Sequence, residues 1–458
     1  MGSASVAAYE LSATSAPTRR RLVVALVACT LIPSLSQSIL IPALPSLGHL
    51  LGVGSDGAAW TVTAYLLTAS AGTPLVGRLG DRFGVRRTML AVIGVFLVGS
   101  ALCLVASSLP VMIAGRLLQG AVAGTFPLSV AVTRRQLPGP TAARVVGLLS
   151  GVVAVGTALG FVLGGLLTGH GGVRAIFWLG LALAVAAGTL AARWVPETPR
   201  GPRERIDVPG GLLLVIGVVL PLIGVSRANV IGWTDVQTIG LIVLGAAVLV
   251  GWVMLELRVR TPLLDVRVLA NPTARMTNLA AFCIGWAMFG LFVLTPQLAS
   301  GRLGLDATSA GLLLAPGALA MLVAGPLAAA AGRRVGDRVP LCVGAAIAGV
   351  GLLCLAIAHT HVAVVIAFVV VTSIGIGVAF PSMPSLAASA ASPERIGEAI
   401  GFNSLCRGVG SAVGAQISAA IVASHANGFS VAYLIAAGAA VLGSALALTV
   451  HTGRVRHS

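Results

Sequence analysis

The chain alternates long apolar runs with short polar breaks, and the runs share one length. They lie near 22–45, 58–79, 88–107, 111–131, 144–168, 173–195, 209–227, 236–255, 275–299, 308–331, 339–358, 362–385, 398–423 and 428–450. A helix crosses the hydrocarbon core of a bilayer in about 20 residues, so the pattern predicts an all-α polytopic membrane protein with 14 transmembrane helices. An even number of crossings puts both ends of the chain on one side. Residues 1–21 read as a polar N-terminal tail and 451–458 as a C-terminal one. The run from Leu22 is too long for the apolar core of a signal peptide and is followed by more runs, so it reads as a retained first span.

Composition supports lipid as the surrounding medium. Of 458 residues, 57% are hydrophobic and only 9% charged, too few to cover a water-facing surface of this size. The net charge of +16 raises the question of a nucleic-acid partner, but the placement of the charge answers against it. All 29 basic residues are arginines, set in short clusters between apolar runs. On the predicted topology 24 of them lie on the side of the termini and only Arg174, Arg227 and Arg302 opposite. Because positive loops stay inside, both termini are expected to be cytoplasmic, in the inner membrane of a bacterium. Arg116 and Arg407 fall within spans.

Six cysteines (Cys29, Cys103, Cys283, Cys342, Cys354 and Cys406) sit in apolar runs without metal-ligand spacing, so neither a disulfide framework nor a metal site is expected. No HExxH and no paired carboxylates within a span occur, and the longest connections, 196–208 and 256–274, are too short for a soluble catalytic domain. The chain reads as neither an enzyme nor a cofactor carrier.

It does carry an internal repeat. "ILIPALPS" (39–46) closes the first span and "VLTPQLAS" (293–300) the ninth, 254 residues later. At the same offset Pro127 meets Pro381, and Gly147, Gly156 and Gly160 meet Gly401, Gly410 and Gly414. "GRLGDR" (77–82) is echoed by "GRRVGDR" (332–338). The plan is a six-helix bundle over 22–195, linkers and an inserted helix pair over 196–274, and a second six-helix bundle over 275–450. Parallel halves of this kind suggest a transporter with its substrate site between them.

Four stretches sharpen this: "WTVTAYLL" (60–67) running into "GRLGDRFGVRR" (77–87), "GRLLQG" (115–120), and "GVVAVGTALGFVLGG" (151–165). In that order they resemble the major facilitator superfamily, and within it the fourteen-span drug/proton antiporter branch. The resemblance implies a major facilitator fold and a secondary active exporter of hydrophobic or amphipathic compounds. Such an exporter is driven by proton antiport through alternating access, and a monomer is expected. An importer or facilitator of a small solute on the same fold stays open as the alternative.

The resemblance also assigns roles. Gly77, Asp81, Arg82, Gly84, Arg86 and Arg87 form the gate motif. Its glycines shape a tight turn and its arginines hold that turn to the inner face. Asp81 would latch against the start of the thirteenth span, where Ser392 and Pro393 read as N-cap and first helical residue. Arg116 falls at the family's proton-coupling arginine, with Gln119 and Gly120 on its helical face, and the plain alternative is that it reaches the nearby interface. Gly151, Gly156, Gly160, Gly164 and Gly165 form the antiporter helix, expected to seal the two halves together. The family's Gly-Pro is Gly160-Phe161 here, which removes the expected kink. No acid falls at the centre of a span: the position where the branch carries one is Ser36, leaving Asp56 and Glu398 as coupling candidates. Ser36, Gln37, Gln119, Asn403 and Arg407 would give the cavity its polar groups and Trp286 an aromatic wall. Two arginines and no central acid predict neutral or anionic substrates.

Overall fold

The computed structural model of the chain describes residues 16–197, 207–259, 266–391, 396–425 and 427–450. Helices α1 (Ala16–Ser38), α2 (Leu44–Leu51), α3 (Ser55–Phe83), α4 (Val85–Val105), α5 (Leu109–Gly120), α6 (Thr125–Gln136), α7 (Gly139–Gly171) and α8 (Val173–Trp194) make the first half. An inserted pair follows, α9 (Val208–Ile231) and α10 (Val236–Arg258). The second half comprises α11 (Pro272–Gly301), α12 (Ala307–Val335), α13 (Arg338–Ile357), α14 (Val362–Ala379), α15 (Ser382–Ser389), α16 (Ile396–Ser424) and α17 (Gly428–Leu448). No strand occurs among the described residues.

Among the described residues, thirteen segments are long and apolar enough to cross a membrane. The fourteenth predicted span is α3, 29 residues long, whose Thr61, Thr63, Thr68, Ser70 and Thr73 dilute its hydropathy. Much of it is buried among other helices, where threonine and serine find helix carbonyls: Ser70 and Thr73 donate to the carbonyls of Leu66 and Ala69.

Proline sets the irregularities, and it does so in both halves. The fourth span of the first half breaks into α5, a 3₁₀ turn (Ala121–Gly124) and α6, just before Pro127. Its repeat partner Pro381 stands in the break between α14 and α15. A proline has no N–H for the carbonyl one turn back, so each break falls where that hydrogen bond is missing. Pro33 leaves the carbonyl of Cys29 without its helical donor in the same way, and Thr125 Oγ1 of α6 donates to it at 2.7 Å.

The repeat is also visible in packing. In the first half α7 packs on α1 at Gly156 and Gly160, against Ser34 and Ser38. In the second, α16 packs on α11 at Gly410 and Gly414, against the backbones of Phe282 and Trp286. The inserted helix α9 leans on α3 and α16, and Ser226 donates to the Asp56 carboxylate at 3.1 Å.

Candidate functional site

Arg116 stands at the centre of the first half. It lies on α5, 2% exposed, so it does not reach the interface. Its Nε donates to the carbonyl of Thr61 at 3.0 Å, one terminal nitrogen to Gln119 Oε1 at 2.6 Å, and the other to the carbonyl of Ser36 at 3.3 Å. The guanidinium lies 4.5 Å from the ring centre of Tyr65, whose hydroxyl donates to the carbonyl of Pro33. Gln119 passes the network on to Ser100 Oγ at 2.8 Å. One arginine thus ties α1, α3 and α5 together and, through Gln119, α4. All these partners are neutral. Of the predicted residues, Arg116, Gln119 and Ser36 come together here, while Gln37 is half-buried beside them in sequence. Sequence reasoning missed Thr61, Tyr65 and Ser100; the "WTVTAYLL" stretch held two of them as a signal.

The second half has a separate polar group. Asn403 is 2% exposed and donates to Asn278 Oδ1 at 3.1 Å, a partner that no sequence pattern singles out. Arg407, one turn on, is half-buried with its guanidinium 4.7 Å from the ring centre of Phe380. Trp286 is half-buried edge-on to Phe282, and its indole N–H has no hydrogen-bond partner among the described residues. Asn403 and Arg407 therefore share a helix but engage different neighbours.

Two seams join the halves, α3 with α16 and α7 with α12. Gln416 donates to the carbonyl of Asp56 at 3.2 Å and receives a bond from Thr63 at 3.3 Å, and Ser70 lies against Gly408 further along. Across the other seam Thr308 Oγ1 donates to the carbonyl of Gly165. A Cβ on Gly165 would stand 2.6 Å from the carbonyl oxygen of Ala307, and one on Gly311 would stand 2.5 Å from that of Phe161. All these contacts lie in the arginine-poor half of the spans or at its edge. In the arginine-rich half, Gly77 of α3 and Gly147 and Gly151 of α7 have nothing within 4 Å of where a Cβ would stand. The contacts that join the halves across the two seams thus gather toward the arginine-poor side.

The glycines of α7 thus divide differently from the expectation. Gly156, Gly160 and Gly164 face α1 within their own half, where Ser34, Ser38 and Ile39 occupy the space of a side chain. Gly165 at the arginine-poor end meets the other half; Gly151 meets no neighbour. Phe161 replaces the family's proline with an unbroken 33-residue helix, and its ring crosses to Phe292 of α11 at 4.8 Å in an edge-to-face contact.

The charged turn between α3 and α4 is a single residue, Gly84, with φ of 96°, a conformation glycine alone adopts without strain. Its repeat counterpart Gly336 has φ of 85°. Asp81 pairs with Arg135 at 2.9 Å, on the last turn of α6, and both are exposed. In the second half Asp337 accepts from Ser385 of α15. Each half thus ties this acid to the end of its own fourth span. Arg87 pairs with Glu197 at 3.5 Å, Arg86 donates to the carbonyl of Ala192, and Arg82 stacks on Phe83. The predicted latch partners Ser392 and Pro393 lie outside the described residues, as does the side chain of Glu398.

Two six-helix halves joined along two seams, with a buried polar group in each, define a polytopic membrane protein built on an internal repeat. The Major Facilitator Superfamily model matches residues 26–274 and 277–457, and the chain belongs to that family. It is 32% identical over 312 residues to an uncharacterized MFS-type transporter of Mycobacterium tuberculosis, covering 67% of this chain and 45% of that protein. The chain thus spans under half the length of that relative. It is 30% identical over 385 residues to the multidrug resistance protein Stp of the same species, covering 83% of this chain and 72% of Stp. Among solved structures, the human organic anion transporter MFSD10 superimposes with a TM-score of 0.65 at 19% identity, covering 93% of this chain and 99% of that one. An auto-inhibited peptide transporter of the POT family gives 0.67 at 18% identity, covering 96% and 98%. The fold is the major facilitator fold.

Proposed function

We propose that this transporter is a secondary active exporter of hydrophobic or amphipathic small molecules, working by proton antiport in a bacterial cytoplasmic membrane. The similarity to Stp over most of the chain is the observation that carries the reading, because that relative is named for multidrug resistance. With the arginine-rich face in the cytoplasm, the contacts at the opposite ends of the seams correspond to a state closed to the outside and open to the cell interior. That is the state in which an exporter loads.

The polar groups favour substrates without a strong positive charge. Arg116 is held by carbonyls and an amide, and no carboxylate stands among its described partners to attract a cation. Asp56, at the arginine-poor end of the α3–α16 seam, is the acid best placed to couple proton binding to seam opening. Its carbonyl is held by Gln416 of the other half, and its carboxylate by Ser226 of the inserted pair. The pairing of Asp81 with Arg135 is the resting arrangement of the gate motif in this state, and Asp81 docks across the seam when the cytoplasmic side closes.

The test is a susceptibility panel of cationic, neutral and anionic drugs in an efflux-deficient bacterium expressing the chain or its Asp81→Asn variant. Each drug is given with and without a protonophore. Resistance to neutral and anionic compounds that vanishes with the variant and with the protonophore is the expected result. Resistance that survives the protonophore would refute antiport. Stronger protection against dications than against neutral drugs would refute the charge preference.

A further inference from the structure

A cavity of about 430 Å³ opens at the arginine-poor face, between the two halves, a volume that suits a small molecule. Pro45 of α2 and Val53 just before α3 wall it on one side, and Val422 of α16 and Phe429 of α17 on the other. Two basic side chains line it as well, His49 of α2 and Arg302 at the end of α11, and both are exposed. Among the described residues that line it there is no aspartate or glutamate.

Arg302 gives the cavity its chemistry. It is one of three arginines on the side that the positive-inside bias keeps poor in them. Its guanidinium lies 5.4 Å from the ring centre of Phe429, and one terminal nitrogen donates to His359 Nε2 at 3.2 Å. The protonation of that histidine follows from its two partners. Its Nδ1 stands 2.9 Å from the carbonyl of Leu355, which can only accept, so Nδ1 carries the proton. Its Nε2 faces an arginine, which can only donate, so Nε2 is the bare acceptor and the imidazole is neutral. A neutral imidazole and an aromatic face orient the guanidinium without cancelling its charge. Asp56, the acid in the first turn of α3, is turned to Ser226. The cavity therefore combines an oriented cation, a histidine and apolar walls.

We propose that this cavity binds a compact amphipathic carboxylate. The guanidinium has five N–H donors, of which His359 takes one, and the ligand's carboxylate oxygens accept from Arg302. The apolar body packs on Pro45, Val53, Val422 and Phe429. An ammonium head would set like charge against Arg302, and an amide head would forgo the Coulomb attraction. Arg302 belongs to the second half and Pro45 and Val53 to the first, so a bound carboxylate ties the halves together at this face. The proposal does not depend on what the protein exports.

The test uses purified full-length protein in phosphatidylcholine nanodiscs at neutral pH. Equilibrium binding is measured for phenylbutyrate, phenylbutyramide and phenylbutylammonium, matched in body and different in head. Phenylbutyrate should bind saturably and at least about tenfold more tightly than the other two, as expected for one charge-assisted pair. Acetate, the head without the body, should not compete. Arg302→Gln should weaken phenylbutyrate at least about tenfold and leave phenylbutyramide unchanged, which separates loss of the cation from loss of the fold. Arg302→Lys should keep the preference for the carboxylate, and Ser300→Trp, which fills the cavity, should abolish binding. Absent binding to the native chain, equal affinity for phenylbutyrate in native and Arg302→Gln proteins, or a preference for phenylbutylammonium would each overturn the proposal. So would parallel loss of carboxylate and amide in Arg302→Gln, or displacement of phenylbutyrate by phosphatidylglycerol added to the nanodisc, which would assign the cavity to a lipid phosphate instead.

Discussion

Gly165 and Gly311 face each other across the α7–α12 seam, and a single methyl group there should shift the conformational balance. A Cβ at 165 would stand 2.6 Å from the carbonyl oxygen of Ala307, whereas ordinary contact begins near 3.4 Å, so the helices must separate by about 0.8 Å. The obstruction is backbone and cannot rotate away as a side chain would. Overpacking of this kind costs about 1–3 kcal/mol, borne only by the state in which the seam is closed at this end. Gly165→Ala should therefore favour the state open at the arginine-poor face by roughly 5- to 150-fold. The assay is the rate at which a membrane-impermeant thiol reagent labels a cysteine placed at Ser300, in right-side-out vesicles and against a cysteine-free background. Gly151→Ala is the control, since nothing lies within 4 Å of its Cβ position. Labelling that rises with Gly165→Ala and not with Gly151→Ala is expected. Equal rates in both would refute the assignment of this contact as the closing element.

Arg116→Met removes three charge-assisted bonds, each contributing about 1.5–3 kcal/mol net of desolvation, and one cation–π contact of about 2 kcal/mol. It also takes the donor from buried oxygens of Thr61, Ser36 and Gln119, so it should lower the melting temperature markedly and abolish transport. An unchanged melting temperature would show that the buried charge costs as much as its bonds return. Phe161→Pro restores the family's residue but removes one backbone donor, kinks an unbroken helix and leaves Phe292 without its aromatic partner. It should cost about 3 kcal/mol and lower the melting temperature. Arg135→Ala unpairs Asp81, and because the pair is exposed the stability change should stay under about 1 kcal/mol; the change should appear in transport rate. Asp306 caps α12, and hydrogen bonds from Ser309 hold its carboxyl below the ordinary carboxylate range. A depressed folded-state pKa means that the cap's contribution is complete above the ordinary carboxylate pKa and is lost as pH falls through the depressed one. Thermal melts across acid pH should show that loss in the native chain and not in Asp306→Asn.

The regular run of spans and the repeat were legible because lipid imposes one length and one polarity on every crossing, whereas the breaks at Pro127 and Pro381 appear only in the structure. The gate turn was legible for a similar reason, since a one-residue turn needs the glycine found at 84. Partner choice was not. The sequence places Gly156, Gly160 and Gly164 on one face, but whether that face meets α1 or α12 is a property of three-dimensional packing, and of the five glycines only Gly165 meets α12. The same holds for Arg116: Gln119 is visible one turn along its own helix, whereas Thr61, Ser36 and Tyr65 come from helices distant in the chain.

The inserted pair has a consequence for how oily molecules approach. Helix α9 covers the flank of the α3–α16 seam and is fastened there through Ser226 and Asp56. The α7–α12 flank instead shows Val155, Leu159, Leu319, Val323 and Leu327 to the acyl chains. A compound dissolved in the leaflet thus meets the inserted pair on one flank and the bare apolar faces of α7 and α12 on the other, so the two sides of the protein are not equivalent to the bilayer.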